Sequence, residues 1–142
     1  MAGDADPSTI RSLAVSKEDV VNAFVYGREN PGTAVLRATP PFHGRMRARI
    51  HVYQVDDTRL TGAIHVHPAD LLESEVVEEY PALEGVEDDL AAGDGEADPE
   101  RVREEHARAL EEWQKRARER IVDDVGLEVD GVEVHVDVKT LG

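Results

Sequence analysis

The segment PPFHGRMRARIHVYQ (residues 40–54) decides how the middle of the chain folds, because apolar and polar side chains alternate along it. Successive side chains of a strand point to opposite faces, so this alternation predicts a strand over 45–55 with one core face and one polar face. The predicted core face carries Met46, Ala48, Ile50 and Val52. The predicted polar face carries Arg45, Arg47, Arg49, His51 and Tyr53.

Strand patterns also precede and follow this segment. One covers residues 33–39 (TAVLRAT) and ends at two prolines, which cannot continue a paired strand. The other covers residues 60–66 (LTGAIHV). We predict that the three strands form an antiparallel meander.

The loop between the last two strands sets their register. Both apolar faces lie on one side only if Val52 pairs with Gly62 and Ile50 pairs with Ile64. Such pairing requires a loop with an odd number of residues, for example 56–58, because a two-residue turn would turn one strand over.

Two helices are indicated by capping residues. The first spans residues 16–30 (SKEDVVNAFVYGREN), where a serine caps the start and a Pro-Gly pair follows the end. The second spans residues 98–126, with Asp98 as the cap, Pro99 in the first turn and Gly126 as the stop. Packing of its apolar stripe on the sheet is the preferred interpretation, and a homodimer seam is the alternative. The stripe consists of Val102, His106, Leu110, Trp113, Ala117 and Ile121.

The last segment, residues 127–138, changes parity at its Asp-Gly pair. A two-residue turn at 130–131 puts the apolar residues on both sides of it on one face, as in a hairpin, and a bulged single strand is the alternative. The elements together predict the α+β class: a mainly antiparallel sheet of four to five strands, with the long helix of the C-terminal half packed on one face. Residues 1–142 are expected to form a single domain. Within it, residues 1–12 should be loose, and the acidic stretch 84–98 should be a flexible linker.

The composition bounds the environment of the protein. Asp and Glu number 31 against 16 Lys and Arg, which gives a formal net charge of −15. This surplus of acids, with more arginine than lysine, is typical of proteins from salt-accumulating archaea, and an ordinary acidic protein is the alternative. Cysteine is absent, which excludes disulfides, thiolate zinc sites and thiol nucleophiles. No signal peptide or membrane-spanning run is evident, so we expect a cytoplasmic protein without membrane association.

The arginines of the middle strand form the main candidate site. Arg45, Arg47 and Arg49, extended by His51 and Tyr53, suit contacts with an anionic partner, and Arg37 would join them if its strand pairs alongside. The partner could be a protein or a nucleic acid, and concentrated salt weakens the attraction to phosphate. The alternatives are that these arginines pair with the acidic helices of the chain itself, or that their stems pack under the long helix.

The histidines of the predicted hairpin raise a second possibility. His51, His65 and His67 share its polar face, and His-x-His is a spacing used by zinc and iron sites. A small metal-dependent enzyme with Zn or Fe is therefore the alternative function. Arginines opposite these histidines would repel a cation, and no serine lies in a nucleophile motif. We therefore favour a non-enzymatic binding or adaptor module without a cofactor.

Three segments of the chain resemble a small haloarchaeal family of uncharacterised proteins: SKEDVV (16–21), AVLRATPPFHGRMRARIHV (34–52) and EEWQKRARERIVDDVG (111–126). The resemblance extends over nearly the whole chain. It implies a cytosolic protein of a halophilic archaeon, and it implies no activity, substrate or site residue.

Overall fold

Strands and helices alternate irregularly along the chain. The computed structural model describes residues 6–30, 32–53, 62–94, 98–129 and 131–141. Within these ranges lie seven strands, four α-helices and two short 3-10 helices, at Pro7–Thr9 and Pro68–Leu71. The strands are β1 (Ser12–Ser16), β2 (Thr33–Ala38), β3 (Arg45–Arg47), β4 (Arg49–Tyr53), β5 (Ile64–Val66), β6 (Asp124–Val129) and β7 (Val132–Leu141). The helices are α1 (Lys17–Glu29), α2 (Ser74–Glu78), α3 (Leu83–Asp94) and α4 (Pro99–Arg118).

The described strands form two sheets, of order β3-β1-β7-β6 and β4-β2-β5. β1 runs parallel to both β3 and β7, whereas β6 and β7 pair antiparallel. In the second sheet β2 pairs antiparallel with both neighbours. The α+β class is therefore confirmed, but the prediction of one mainly antiparallel sheet is wrong, because β1 introduces parallel pairs at the centre of the larger sheet.

The predicted meander is also wrong. β2 lies between β4 and β5, and Leu36 of β2 is opposite both Ile50 and Val66. The predicted pairs Val52–Gly62 and Ile50–Ile64 therefore do not form. The predicted loop at 56–58 lies outside the described residues.

One extended segment, residues 45–53, joins the two sheets. The N–H of Ala48 donates to the carbonyl oxygen of Ala14 in β1 (2.9 Å), which continues the pairing of β3 with β1. The N–H of Ile50 donates to Oδ2 of Asp19 on the same edge (3.2 Å). Alternate amides of a strand point to opposite edges, so the amides of β4 that pair with β2 point the other way. β3 and β4 are thus two halves of one strand that pairs with β1 along one edge and with β2 along the other.

The core lies between the sheets and the helices. α1 packs against β2 and β4, and its side chains Val20, Val21 and Phe24 are buried. Trp113 of α4 is fully buried, and its Nε1–H donates to the carbonyl oxygen of Val76 (2.8 Å). Ring contacts join Trp113 to Phe24 and to Tyr80, so α1, α4 and the segment between α2 and α3 share one aromatic cluster.

The first helix follows its capping signals. Oγ of Ser16 accepts a hydrogen bond from the N–H of Asp19 (3.0 Å), and α1 ends at Glu29 with Asn30 as the C-cap, as predicted. Before it, Asp6 caps a short 3-10 helix that leads into β1. In the predicted loose stretch 1–12, the residues that the structure describes therefore include a 3-10 helix at Pro7–Thr9 and the first residue of β1. Only the remaining described residues of that stretch are irregular.

The long helix begins as predicted and ends early. Oδ1 of Asp98 accepts from the N–H of Glu100 (3.1 Å) with Pro99 in the first turn, but α4 ends at Arg118. Gly126, the predicted stop, lies in β6 instead. The chain turns away from the helix axis after Arg118, and Ile121 and Val122 then pair with the segment near Leu72 at the end of the 3-10 helix.

The stripe of α4 faces other helices rather than a sheet. α4 packs mainly on α1 and α3, so the predicted packing on the sheet is wrong. The partner helix α3 falls in the predicted flexible linker 84–98, and this prediction is wrong over residues 84–94. Apolar residues of α3 such as Val86 are shielded by α4, which stabilises a helix that is acidic on its outer side.

The C-terminal hairpin is confirmed. Val129 pairs with Val132 across a two-residue connection, and Leu127 pairs with Val134. Gly131 has a φ of 80°, which the mirror-image hairpin turns require. Within the described ranges, each helix is too short or too polar to cross a membrane.

Candidate functional site

Three arginines project from the strand that joins the two sheets. Arg45, Arg47 and Arg49 are all exposed, and Ala48 between them is fully buried. The alternation therefore continues through the junction of β3 and β4, which keeps the three side chains on the same side of the strand. Side chains two residues apart on a strand lie about 6.6 Å apart, so they form an even row.

The neighbouring strands extend this row sideways. Arg37 of β2 is directly opposite Arg49 on one side and His65 on the other. His51 is opposite Val35, which is fully buried. Directly opposite residues share a face of a sheet, so the register places Arg37, Arg49 and His51 on one face. Arg37 and His51 are half-buried, whereas the three residues of the row are open to solvent.

The sixth predicted contact residue is Tyr53. It pairs with Thr33 at the end of β4, in register with the same face. Its side chain lies outside the described part of the structure.

The row has no acidic partner within the part of the chain that the structure describes. Arg45, Arg47 and Arg49 form no ion pair with the described residues, whereas Arg116 lies 3.8 Å from Glu79, just after α2, and Arg118 lies 3.9 Å from Glu18 of α1. The alternative in which the acidic helices neutralise the row therefore has no support among these residues. Among the described residues the basic row is therefore uncompensated, on a chain of net charge −15.

Small side chains flank the row on its inner edge. Ser12 and Ala14 of β1 lie opposite Arg45 and Arg47, and β7 then presents Asp137 and Lys139. Ser12 and Ala14 are small and half-buried, so the side chains beside the guanidinium groups project little from the sheet. An acidic border follows two strands away, where Asp137 faces Asp124 of β6. The surface is therefore basic at β3 and β4 and acidic at β6 and β7.

The predicted core face of this strand is correct only near its start. Ala48 is fully buried and Met46 is half-buried, but Ile50 and Val52 are 37% and 43% exposed. β4 is an edge strand of its sheet, and Asp19 at the start of α1 lies against its free edge. An edge strand has a neighbour on one side only, so its inward side chains keep part of their surface in water.

The three histidines of the metal hypothesis do not converge. His51 and His65 lie on one face with ring centroids 6.3 Å apart. His67 follows the end of β5 and lines a cavity of about 310 Å³ together with Phe24 and Arg28 of α1. Within the described residues, no group of three His, Asp or Glu side chains is arranged to hold a metal ion. The structure therefore brings together two of the three predicted ligands.

A second cluster of polar side chains was missed from the sequence. Arg28 of α1 lies over the rings of Phe24 and Tyr80, with its Cζ 4.9 and 5.3 Å from their centroids. Together with Glu29 and His106, Arg28 and Tyr80 line a cavity of about 500 Å³. The one local signal was a histidine, His106, in the apolar stripe of α4. The other residues of this cluster show no unusual pattern in the sequence of their own segments. Only the packing of the helices brings them together.

Comparison with known proteins assigns the chain to a family. No curated protein and no solved structure matches it. The model of the family described as "Domain of unknown function (DUF8009)" matches residues 1–142. This match covers the chain from end to end, and the protein therefore belongs to the DUF8009 family.

Proposed function

We propose that the protein is a non-enzymatic binding module that docks an acidic segment of a partner protein on its arginine face. We define this face as Arg45, Arg47 and Arg49 with the half-buried Arg37 and His51 beside them. One observation supports the proposal above all: three exposed, evenly spaced arginines have no acidic partner among the described residues of a strongly acidic chain. Guanidinium groups bind carboxylates through two parallel hydrogen bonds, so an uncompensated row is suited to an acidic ligand.

A protein segment fits this surface better than a nucleic acid. The acidic border at Asp137 and Asp124 lies two to three strand spacings, or roughly 10–15 Å, from the arginine row. A long phosphate backbone would cross that border and be repelled, whereas a short acidic segment can follow the row alone. The net charge of −15 also repels a polyanion at low salt.

The edge position of the strand adds a backbone contribution. Among the described strands, β3 pairs with β1 alone and β4 pairs with β2 alone, so each is an edge strand of its sheet. An extended partner segment could add to the free edge of β3 by main-chain hydrogen bonds while its carboxylates reach the arginines. Exposed ion pairs contribute only about 0.2–1 kcal/mol each, so several contacts are needed for specific binding.

Reversing the charge of the row is expected to abolish binding. The probe is a labelled peptide of alternating Glu and Ser, whose carboxylates repeat at the spacing of the arginines, measured by fluorescence anisotropy. The triple variant Arg45→Glu, Arg47→Glu and Arg49→Glu should lose saturable binding, because each attraction becomes a repulsion. All three side chains are exposed, so the melting temperature should change little.

A matched variant controls for net charge. Charge reversal at Arg108, Lys115 and Arg120, which are exposed and lie on or just after α4, changes the net charge by the same amount and should leave binding intact. Equal loss in both variants would show that only the overall charge matters, which contradicts the proposal. A labelled single-stranded oligonucleotide is the second probe. If it binds more tightly than the peptide and the triple variant loses it, the partner is a nucleic acid and the protein proposal is wrong.

Salt is expected to stabilise the fold. At about 0.1 M salt the Debye length is about 10 Å, and at about 1 M it is about 3 Å. Repulsion within a chain of net charge −15 is screened as the salt concentration rises, so the melting temperature should increase by several degrees between these conditions. Thermal unfolding followed by circular dichroism in KCl measures the shift. A melting temperature that stays constant or falls would contradict the proposed adaptation to concentrated salt, which is the habitat that the family resemblance implies.

A further inference from the structure

Two adjoining cavities form a groove between the end of α1, the start of α3 and the first turns of α4. The first, of about 500 Å³, is lined by Arg28, Glu29, Tyr80, Ala82, Leu83, Glu84 and His106. The second, of about 430 Å³, is lined by Leu83, Glu87, Pro99, Val102 and Arg103. Leu83 lines both, so the two cavities adjoin at its side chain. Each has the size of a small-molecule site, and neither contains a residue of the arginine face.

Two aromatic rings, and no acid of the described residues, hold Arg28 in place. Its guanidinium lies over the rings of Phe24 and Tyr80, which fixes its position by cation–π contacts. Among the described residues no carboxylate lies within ion-pair distance of it, although Glu29 and Glu84 line the same cavity. A positioned guanidinium that does not use the neighbouring acids is available to a carboxylate from outside.

The acids of the groove lie beside this cation. Oε1 of Glu29 accepts a hydrogen bond from the Tyr80 hydroxyl (3.4 Å). Burial and the neighbouring Glu29 raise the pKa of Tyr80 to about 12, so the phenol stays neutral and keeps donating. Glu29 is thereby oriented, and its second oxygen, like the carboxylate of Glu84, is available to a positively charged group.

His106 closes the polar end of the groove. Its Nε2 lies 2.9 Å from the carbonyl oxygen of Pro81. A carbonyl oxygen only accepts, so Nε2 carries a proton and ties α4 to the segment ahead of α3. This contact holds the two walls of the first cavity at a fixed separation.

The other end of the groove combines apolar side chains with the charged Glu87 and Arg103. Leu83 is 44% exposed, which is unusual for a large apolar side chain, and it faces the second cavity with Pro99 and Val102. Exposed apolar surface rimmed by polar groups is typical of a ligand-binding groove.

From this arrangement we propose that the groove binds a free α-amino acid with a large apolar side chain. The carboxylate of the ligand lies on the guanidinium of Arg28, and its ammonium group lies between the carboxylates of Glu29 and Glu84. Its side chain follows Leu83 toward Val102. This site goes beyond the proposed docking function and does not depend on it.

Titration calorimetry of the full chain with L-leucine and L-phenylalanine tests the site. Saturable binding at millimolar concentration or below is expected. Two analogues separate the charges: 4-methylpentanoate lacks the ammonium group, and 3-methylbutylamine lacks the carboxylate. Each should bind roughly ten- to a hundredfold more weakly than leucine, because a hydrogen bond to a charged group is lost. If either analogue binds as tightly as leucine, or if neither amino acid binds, the proposal is wrong.

Two variants assign the binding to the groove. Arg28→Gln and Glu84→Gln should each weaken leucine binding at least about tenfold, since each removes one charge contact. Arg108→Gln, on the same helix as His106 but outside the cavities, is the matched control and should bind normally. The triple variant of the arginine face should also bind leucine normally, so failure of the docking proposal and failure of this one are distinguishable. Circular dichroism of each variant confirms that the fold is intact, and unchanged binding in Arg28→Gln would overturn the assignment.

Discussion

Replacing Trp113 by alanine is expected to lower the free energy of unfolding by about 3–5 kcal/mol. Trp113 is fully buried, and it contacts the rings of Phe24 and Tyr80 at centroid distances of 5.2 and 5.1 Å. Its loss leaves a cavity at the meeting point of α1 and α4, and it removes the indole N–H that donates to the carbonyl oxygen of Val76. Since a domain is typically stable by about 5–15 kcal/mol, this single change removes a large share of the total.

Urea unfolding measures this effect. Far-UV circular dichroism should be the signal, because Trp113 is the only tryptophan and its fluorescence disappears with it. Trp113→Phe keeps a ring in the cluster and loses the hydrogen bond, so it should cost less, with about 1 kcal/mol of the loss arising from the bond itself. Val132→Ala, at a side chain 63% exposed, should change stability by less than about 0.5 kcal/mol. A cost for Trp113→Ala as small as that of Val132→Ala would contradict the position of Trp113 in the core.

The predictions that succeeded rest on short-range chemistry. The start of α1 at Ser16, the start of α4 at Asp98 and the hairpin turn at Gly131 each follow from residues within one turn of the boundary. Capping and turn geometry are local, so the sequence contains all that decides them. The exposure of every second residue, Arg45, Arg47 and Arg49, follows in the same way from the two-residue period of a strand.

The errors concern pairing between distant segments. β1 (SLAVS) is only five residues long, and its partners are residues 45–47 and 137–141. Nothing in those five residues distinguishes a parallel centre from an edge strand, so the order of the larger sheet could not be predicted. For the same reason the sequence did not predict that β2, rather than β4, lies at the centre of the second sheet. Register arguments fix which face a strand presents, but they do not choose its neighbour.

Composition misled the prediction for residues 84–94. A stretch rich in acids and glycine has too little apolar surface to fold alone, which favoured a linker. Packing against α4 supplies the missing contacts, and the helix α3 forms. The groove was missed for a related reason. Arg28, Tyr80 and His106 come from three separate segments, and each has an ordinary local role until the helices meet.

A buried charge at the junction of the two sheets is expected to be nearly as damaging as the loss of Trp113. Ala48 is fully buried, and its N–H donates to the carbonyl oxygen of Ala14 at the point where β3 passes into β4. In Ala48→Asp a carboxylate would enter the core without a cation to pair with it. We expect the free energy of unfolding to fall by about 3–5 kcal/mol at neutral pH, as for other uncompensated buried charges.

The same substitution one position away provides the comparison. Arg47 and Arg49 are exposed, so Arg47→Asp and Arg49→Asp should each change the stability by no more than about 0.5 kcal/mol. The pH dependence supplies a second test, because burial raises the folded-state pKa of the new carboxyl above its unfolded value of about 3.9. The variant should therefore be least affected below a pH of about 3.9, the unfolded pKa. It should lose stability as the pH rises from there through the raised pKa of the folded state. Equal costs at all three positions would show that residues 45–53 do not form one continuous strand with an inner and an outer face, and the arginine row would then lose its structural basis.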